Sequence, residues 1–112
     1  MKINVRFRGF AVSDNLAEHV ARKVYQRLSR FGNRVSAVDA RLSDVNGPRG
    51  GCDKRCQFTV HLPGQAPLHL EELHQDFYAG IDVALDRLAE AVGRCIQRER
   101  SHHLAFTARS VS

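Results

Sequence analysis

Residues 76–100, DFYAGIDVALDRLAEAVGRCIQRER, predict the element around which the rest of the chain is organised. The stretch contains no proline, and its apolar residues recur every three or four positions: Phe77, Ile81, Leu85, Leu88, Val92 and Ile96. This spacing is typical of an amphipathic helix with one buried face. At 1.5 Å per residue the helix would be about 37 Å long, a large element for so short a chain. Because its apolar stripe must be buried, we expect the upstream residues to form a surface for it.

The composition bounds the class of protein. A chain of 112 residues with 43% hydrophobic content is expected to form one domain with one core. No apolar run approaches the ~20 residues that span a bilayer, and the N-terminus lacks the apolar segment of a signal peptide. Three cysteines, an odd number, fit a reducing compartment. These features favour a cytoplasmic protein without membrane association; a monomer is the default expectation.

Positive charge is concentrated in the first half of the chain. Residues 1–56 hold twelve Lys/Arg and five Asp/Glu, a net charge of +7, whereas residues 57–112 hold five and seven, a net charge of −2. The overall charge of +5 and a pI near 9.6 suggest a polyanionic partner such as nucleic acid. A basic protein without such a partner is the alternative on composition alone.

The upstream residues predict a strand followed by a first helix. KINVRFR, residues 2–8, alternates apolar and polar side chains, which is typical of a half-buried strand. Ser13 is a candidate N-cap for a helix that runs from Asp14 to about Phe31. Gly32 and Asn33 form a C-cap signal, because both tolerate the left-handed backbone conformation.

Three further strands are predicted between the helices. Alternating apolar residues mark strands at residues 35–45, 56–62 and 68–71. Their connections are too short for parallel crossovers, so we expect an antiparallel meander. The predicted fold is α+β with the order β-α-β-β-β-α, in which both helices pack on one face of a four-stranded sheet. Residues 1–100 would form this single domain and residues 101–112 a disordered tail. The other face of the sheet would stay wet and carry Arg6, Arg8, Arg41, Gln57, Thr59 and His61.

Each predicted helix has a basic flank beside its buried stripe. At ~100° per residue, one flank of the first helix gathers Lys23, Arg27 and Arg30, and one flank of the second gathers Arg87, Arg94 and Arg98. The side of the second helix that faces away from the core would hold Asp82, Asp86 and Glu90. If the two basic flanks face one groove, they form a cationic strip suited to a phosphate backbone. Ordinary solvated helix charge is the alternative. Arginine greatly outnumbers lysine, which favours RNA contact, since guanidinium groups can both bridge phosphates and stack.

Several segments together resemble the ribosome hibernation-promoting factor / ribosome-associated inhibitor family, formerly called sigma-54 modulation proteins. They are the KINV start, the SDNLAEHV segment opening the first helix, the HLPG turn at residues 61–64 and DFYAGIDVALDRL at residues 76–88. The segment RFGNRV…RLSDVNGPRGGCDKRC is similar to a divergent branch with a glycine-rich loop. The resemblance covers about residues 1–100.

The resemblance implies a stress-related binding factor and not an enzyme. Members of the family bind the small ribosomal subunit in the mRNA and tRNA channel, where they block translation. Their rRNA-contacting residues map by position onto Lys23, Arg27, Arg30, Arg87, Arg94 and Arg98. The family tends to place a basic residue where this chain has Glu90. The alternative is a protein-interaction module of the same fold that no longer binds ribosomes, using the wet sheet face or an acidic helix face.

Other site chemistries are weaker. Cys52 and Cys56 have a spacing that zinc sites permit, but no second ligand pair follows and Cys56 would point inward, so no metal or cofactor is expected. The histidines are scattered and lack a partnered acid or nucleophile, so we expect neither catalysis nor a small-molecule substrate. Asp82 and Asp86 are interpreted as solvated charge near Arg87 and Glu90. The NGPRGG loop is not a Walker loop; the neighbouring basic residues, possible additional RNA contacts, are Arg49, Lys54 and Arg55.

Overall fold

Within the residues that the structure describes, the backbone forms four strands and two long helices in the predicted order. The computed structural model describes residues 1–45 and 53–111, with side chains described as far as Glu99. In chain order the elements are β1 (Lys2–Arg8), α1 (Asp14–Leu28), β2 (Ala37–Asp44), β3 (Lys54–His61), β4 (Leu68–His74) and α2 (Phe77–Val111). The order confirms the predicted β-α-β-β-β-α arrangement.

The four strands form one mixed sheet in the order β1-β2-β3-β4. β2, β3 and β4 pair antiparallel, which confirms the predicted meander. β1 pairs parallel with β2, so α1 is the crossover that two parallel strands require. In this register Ile3 lies opposite Val38 and Val5 opposite Ala40, which places the apolar residues of both strands on one face.

That apolar face is covered by the two helices, as predicted. α2 packs on β3 and β4, and α1 lies beside α2 and over β1. The side chains between the layers are almost fully excluded from solvent. The largest are Leu28 of α1, Leu42 and Phe58 of the sheet, and Ile81, Leu85 and Leu88 of α2. The helix stripe quoted at the outset therefore lies on the sheet, with Ile96 half-buried at its edge. Neither described helix is both long and apolar enough to cross a membrane.

The helix ends differ from the sequence predictions. α1 ends at Leu28, not at Phe31, because Ser29–Arg34 tighten into 3₁₀ turns interrupted at Gly32, whose φ is +56°. α2 continues to Val111, beyond the predicted end near Arg100; its sequence has no glycine after Gly93 and no proline that would stop it. The disorder expected for residues 101–112 stays a prediction.

The start of α2 is fixed by a cap and by a close contact with the sheet. Asp76 Oδ2 accepts a hydrogen bond from the Ala79 backbone N–H at 3.0 Å, a typical N-cap contact. One turn into the helix, a Cβ atom placed on Gly80 would lie 3.0 Å from His74 Cβ and 3.2 Å from Cys56 Sγ. Glycine thus lets the α2 backbone approach β3 and β4 closely.

Gly80→Ala should therefore destabilise the fold relative to Gly93→Ala. At Gly93 the nearest atoms to an added Cβ belong to Phe31 at 3.9 Å, an ordinary contact. Gly93→Ala should gain up to about 1 kcal/mol of helix propensity. Gly80→Ala should lose about 1–3 kcal/mol to overpacking, set against the same gain. Urea unfolding of both variants measures the difference; equal midpoints would show that α2 is not held at this contact.

Cys56 is the buried cysteine of the sheet, and the prediction that it points inward is confirmed. Its side chain is fully buried beneath α2. Burial, with smaller contributions from the carboxylates of Glu72 and Asp76, raises the pKa of the Cys56 thiol from 9.0 to about 12. The neutral thiol is therefore the form that the fold accommodates, and the thiolate is the form that reacts.

In the native protein, Cys56 should resist iodoacetamide while the half-buried Cys95 is alkylated first. Because the unfolded thiol ionises near 9.0 and the folded thiol near 12, the thiol's contribution to stability is complete below pH 9 and is lost between those values. Peptide mass spectrometry after timed labelling at pH 8 checks the order. Labelling of Cys56 as fast as Cys95 would contradict the burial.

Candidate nucleic-acid interface

Two carboxylates of α2 face the basic flank of α1. Asp82 Oδ1 lies 2.8 Å from His19 Nε2 and 3.7 Å from Lys23 Nζ. One turn later, Asp86 Oδ1 lies 2.8 Å from Arg27 Nε. We call these five residues the ionic seam between the helices. The seam neutralises Lys23 and Arg27, two of the three first-helix cations predicted to contact phosphate.

Asp82 and Asp86 have solvent-exposed side chains on the side of α2 away from the core, as expected, but the interpretation that they pair within their own helix is wrong. Their partners lie on α1 and not on their own helix at Arg87 or Glu90. A helical wheel gives the angle of a side chain from the buried stripe, but it does not say on which side the neighbouring helix lies. The spacing of the two carboxylates at i and i+4 was the sequence feature that indicated a shared partner surface, because such a pair lies along one line of the helix.

The ion pairs of the seam are weak, so another anion can replace their carboxylates. Asp82 and Asp86 are 43% and 55% exposed, and Arg27 is 47% exposed. Ion pairs in such positions contribute about 0–1 kcal/mol each because water and salt screen them. A phosphate group could therefore compete for Lys23 and Arg27, but it would displace a carboxylate to do so.

Arg87 lies on the opposite flank of α2. Its guanidinium donates a hydrogen bond to Glu72 Oε2 of β4. The α1 cations and Arg87 are thus separated by the width of α2. The two basic flanks do not face one groove, and the continuous two-sided strip considered from the sequence is not formed.

Three further arginines lie beyond the ion-paired residues, Arg30 just after α1 and Arg94 and Arg98 farther along α2. Arg30 lies over the ring of Phe31, with its Cζ 4.8 Å from the ring centroid. Phe31 in turn packs near Gly93 of α2. Arg94 follows Arg87 by seven residues, so it continues the line of Arg87 along α2. Arg98 follows Arg94 by one turn, and its Nη2 lies 3.8 Å from Cys95 Sγ. We call Arg30, Arg94 and Arg98 the arginine end of the helix layer.

The arginine end has free donors. Within residues 1–45 and 53–99, none of Arg30, Arg94 or Arg98 lies within 4 Å of a carboxylate oxygen, and all three are exposed. Glu90 is exposed one turn before Arg94 and likewise has no ion pair within that described part of the chain. It borders the arginine end without neutralising it.

The basic residues near the glycine-rich loop are already paired where the structure describes them. Lys54 Nζ lies 2.9 Å from Asp44 Oδ2 and 3.3 Å from Asp53 Oδ2. Arg55 Nε lies 2.6 Å from Glu71 Oε1 on the outer side of the sheet. Arg49 and Cys52, also considered above, lie outside the described residues.

Two histidines have carboxylate partners, contrary to the sequence expectation. His19 contacts Asp82 in the seam, and His61 Nε2 lies 2.8 Å from Asp39 Oδ2 on the outer sheet face. Asp39 also accepts a hydrogen bond from Asn4; that bond, followed by the one with His61, lowers the pKa of the Asp39 carboxyl. Alternation had placed Asp39 and His61 on one face, but the strand register that joins them was not known. Across residues 1–45 and 53–99 no group of three His, Cys, Asp or Glu side chains is arranged to hold a metal ion.

Comparison with known proteins agrees with this architecture. The structure is similar to the N-terminal domain of Thermus thermophilus Protein Y, with a TM-score of 0.68 and 29% identity over 84% of this chain and 98% of that one. It also resembles a ribosomal subunit interface protein from Coxiella burnetii, with a TM-score of 0.73, 18% identity and coverage of 87% and 99%. The second likeness shows the fold alone.

Sequence relatives carry related names. The chain is 31% identical over 85 residues to the chloroplastic ribosome-binding factor PSRP1 of Spinacia oleracea, which covers 74% of this chain and 28% of that protein. It is 26% identical over 89 residues to a ribosome hibernation promotion factor of Picosynechococcus, with coverage of 80% and 46%. The chain thus spans less than half the length of these relatives.

The family model described as Sigma 54 modulation protein / S30EA ribosomal protein matches residues 3–100. That range includes the described strands, apart from Lys2 at the start of β1, and the buried parts of both helices. The related names describe ribosome-associated binding factors, which confirms the prediction that the chain is not an enzyme. The chain belongs to the Sigma 54 modulation protein / S30EA ribosomal protein family.

Proposed function

We propose that this chain is a cytoplasmic translation inhibitor, or hibernation factor, that binds ribosomal RNA of the small subunit near the mRNA and tRNA channel. Its family membership supports a ribosomal partner. The observation that carries the RNA contact is the arginine end, where three exposed guanidinium groups lack a carboxylate in the described part of the chain. A bound domain would silence the subunit by occupying space, so no cofactor or chemical step is required.

The six proposed contact residues divide into two groups. Arg30, Arg94 and Arg98 can donate to phosphate oxygens without giving up an ion pair. Lys23 and Arg27, and Arg87 on the far flank, must first release Asp82, Asp86 or Glu72. Because each phosphate contact releases counterions, affinity should come mainly from the first group and fall steeply with salt.

Replacing the free arginines should weaken ribosome binding more than replacing the paired cations. At about 0.1 M salt each lost phosphate contact costs about fivefold in affinity, so Arg94→Gln/Arg98→Gln should cost about 25-fold. Lys23→Gln/Arg27→Gln changes the net charge equally but should cost much less, because those side chains already have carboxylate partners. Co-sedimentation with small subunits across a salt series measures both.

Two results would contradict the proposal. One is wild-type protein that stays in the supernatant at low salt, and the other is an Arg94→Gln/Arg98→Gln variant that pellets like wild type. Pelleting that survives nuclease treatment and high salt would instead favour the protein-interaction module.

Removing one seam carboxylate should tighten RNA binding. Asp86→Asn leaves Arg27 without its 2.8 Å partner, so the guanidinium becomes available to a phosphate and affinity should rise about fivefold. Glu18→Gln is the matched control, because it removes an equal charge from an exposed position of α1 that has no ion pair in the described part of the chain. Equal affinities for the two variants would show that Arg27 makes no RNA contact.

A further inference from the structure

The side of the sheet turned away from the helices is open to solvent. Alternation and register place one set of side chains from all four strands on this face. We call this set the open sheet face: Lys2, Asn4, Arg6, Arg8, Asp39, Arg41, Ser43, Arg55, Gln57, Thr59, His61, His69, Glu71 and Leu73. Two shallow grooves cross it, one at Arg6 and Arg41 and the other at Arg8, Arg41 and Arg55.

Most of the cationic groups on this face are not neutralised. Its two carboxylates already have partners on the same face: Asp39 contacts Asn4 and His61, and Glu71 contacts Arg55. Arg6 is near enough to Asp39 to help lower its pKa, but it makes no ion pair with it. Among residues 1–45 and 53–99, no carboxylate oxygen lies within 4 Å of the guanidinium groups of Arg6, Arg8 or Arg41.

The strand register sets two of these arginines side by side. Arg6 of β1 lies directly opposite Arg41 of β2, and Arg8 lies opposite Ser43. Like charges at directly opposed positions destabilise a sheet, so the pair is unfavourable unless an anion lies between the two groups. Neighbouring strands are about 4.8 Å apart, and Arg6 and Arg8 are about 6.6 Å apart along β1.

We propose that the open sheet face is a second phosphate-binding surface, which contacts an RNA backbone on the side of the domain opposite to the helices. Guanidinium forks suit phosphate oxygens, and Asn4, Gln57 and Thr59 add neutral donors in the same groove. The described side chains of the face include no Phe, Tyr or Trp, so bases are not stacked and binding is independent of sequence. The domain would then lie between two RNA segments, one on each layer.

An acidic protein surface is the competing occupant, and the composition of the face argues against it. The cores of protein interfaces are rich in aromatic and apolar side chains. Here Leu73, 47% exposed and at the outer strand, is the large apolar side chain of the described set. The charges and neutral donors of the grooves fit a polyanion backbone better.

The test isolates the sheet from the helices by starting from the Arg94→Gln/Arg98→Gln variant. Into it we would introduce Arg6→Gln/Arg41→Gln or, as a charge-matched control, Arg22→Gln/Arg34→Gln, which lies outside the open sheet face. Fluorescence anisotropy with a single-stranded oligouridylate, over a series of salt concentrations, measures affinity and its salt dependence. Urea unfolding confirms that each variant remains folded.

The sheet variant should bind about 25-fold more weakly than the control at about 0.1 M salt, and the slope of log K against log salt should fall by about 1.4. Equal affinity of the two variants would overturn the proposal. A loss of affinity with an unchanged slope would also overturn it, because lost phosphate contacts must lower the slope. So would equally tight binding of polyglutamate through Arg6 and Arg41, because the face would then not be selective for phosphate. Because the probe is free RNA and the helix arginines are absent, this test and the ribosome co-sedimentation can fail separately.

Discussion

The close approach of α2 to the sheet at Gly80 is the contact on which the rest of the structure depends. With no side chain there, the helix backbone lies against His74 and Cys56, and the apolar stripe from Phe77 to Val92 is buried along the sheet. This contact fixes the rotation of α2 about its own axis. Once the rotation is fixed, the direction of every charged side chain on the helix follows: Asp82 and Asp86 toward α1, Arg87 toward β4, and Glu90 and Arg94 toward solvent.

That rotation divides the helix layer into two electrostatic regions. Near the start of α2, carboxylates neutralise the cations of α1 and make an exchangeable ionic seam. Farther along, Arg30, Arg94 and Arg98 remain free within the described residues. The open sheet face adds uncompensated arginines on the opposite side of the domain. In the described part of the chain, the arginines without a carboxylate partner therefore lie where phosphate contact does not require breaking an ion pair.

The residue pattern predicted the elements well because each depends on local spacing. The alternation of Lys2–Arg8 gave β1, and the stripe from Phe77 to Ile96 gave α2 and its buried face. Contacts between elements were harder to predict, since they depend on how neighbouring elements are placed. The wheel could not pair Asp82 and Asp86 with α1 because it contains no second helix, and alternation alone could not show that β1 pairs parallel with β2 and sets Arg6 against Arg41. The 3₁₀ turns after Leu28 were missed because Gly32 marks the end of a helix without showing how it tightens.

Electron cryomicroscopy of the small ribosomal subunit with this protein bound tests the central claim most directly, because it shows which face of the helix layer meets RNA. The account predicts that Arg94 and Arg98 lie within hydrogen-bonding distance of rRNA phosphate oxygens. It also predicts that Asp82 stays on the α1 side of its helix. A bound domain whose arginine end faces solvent, or packs only against ribosomal protein, would contradict the account.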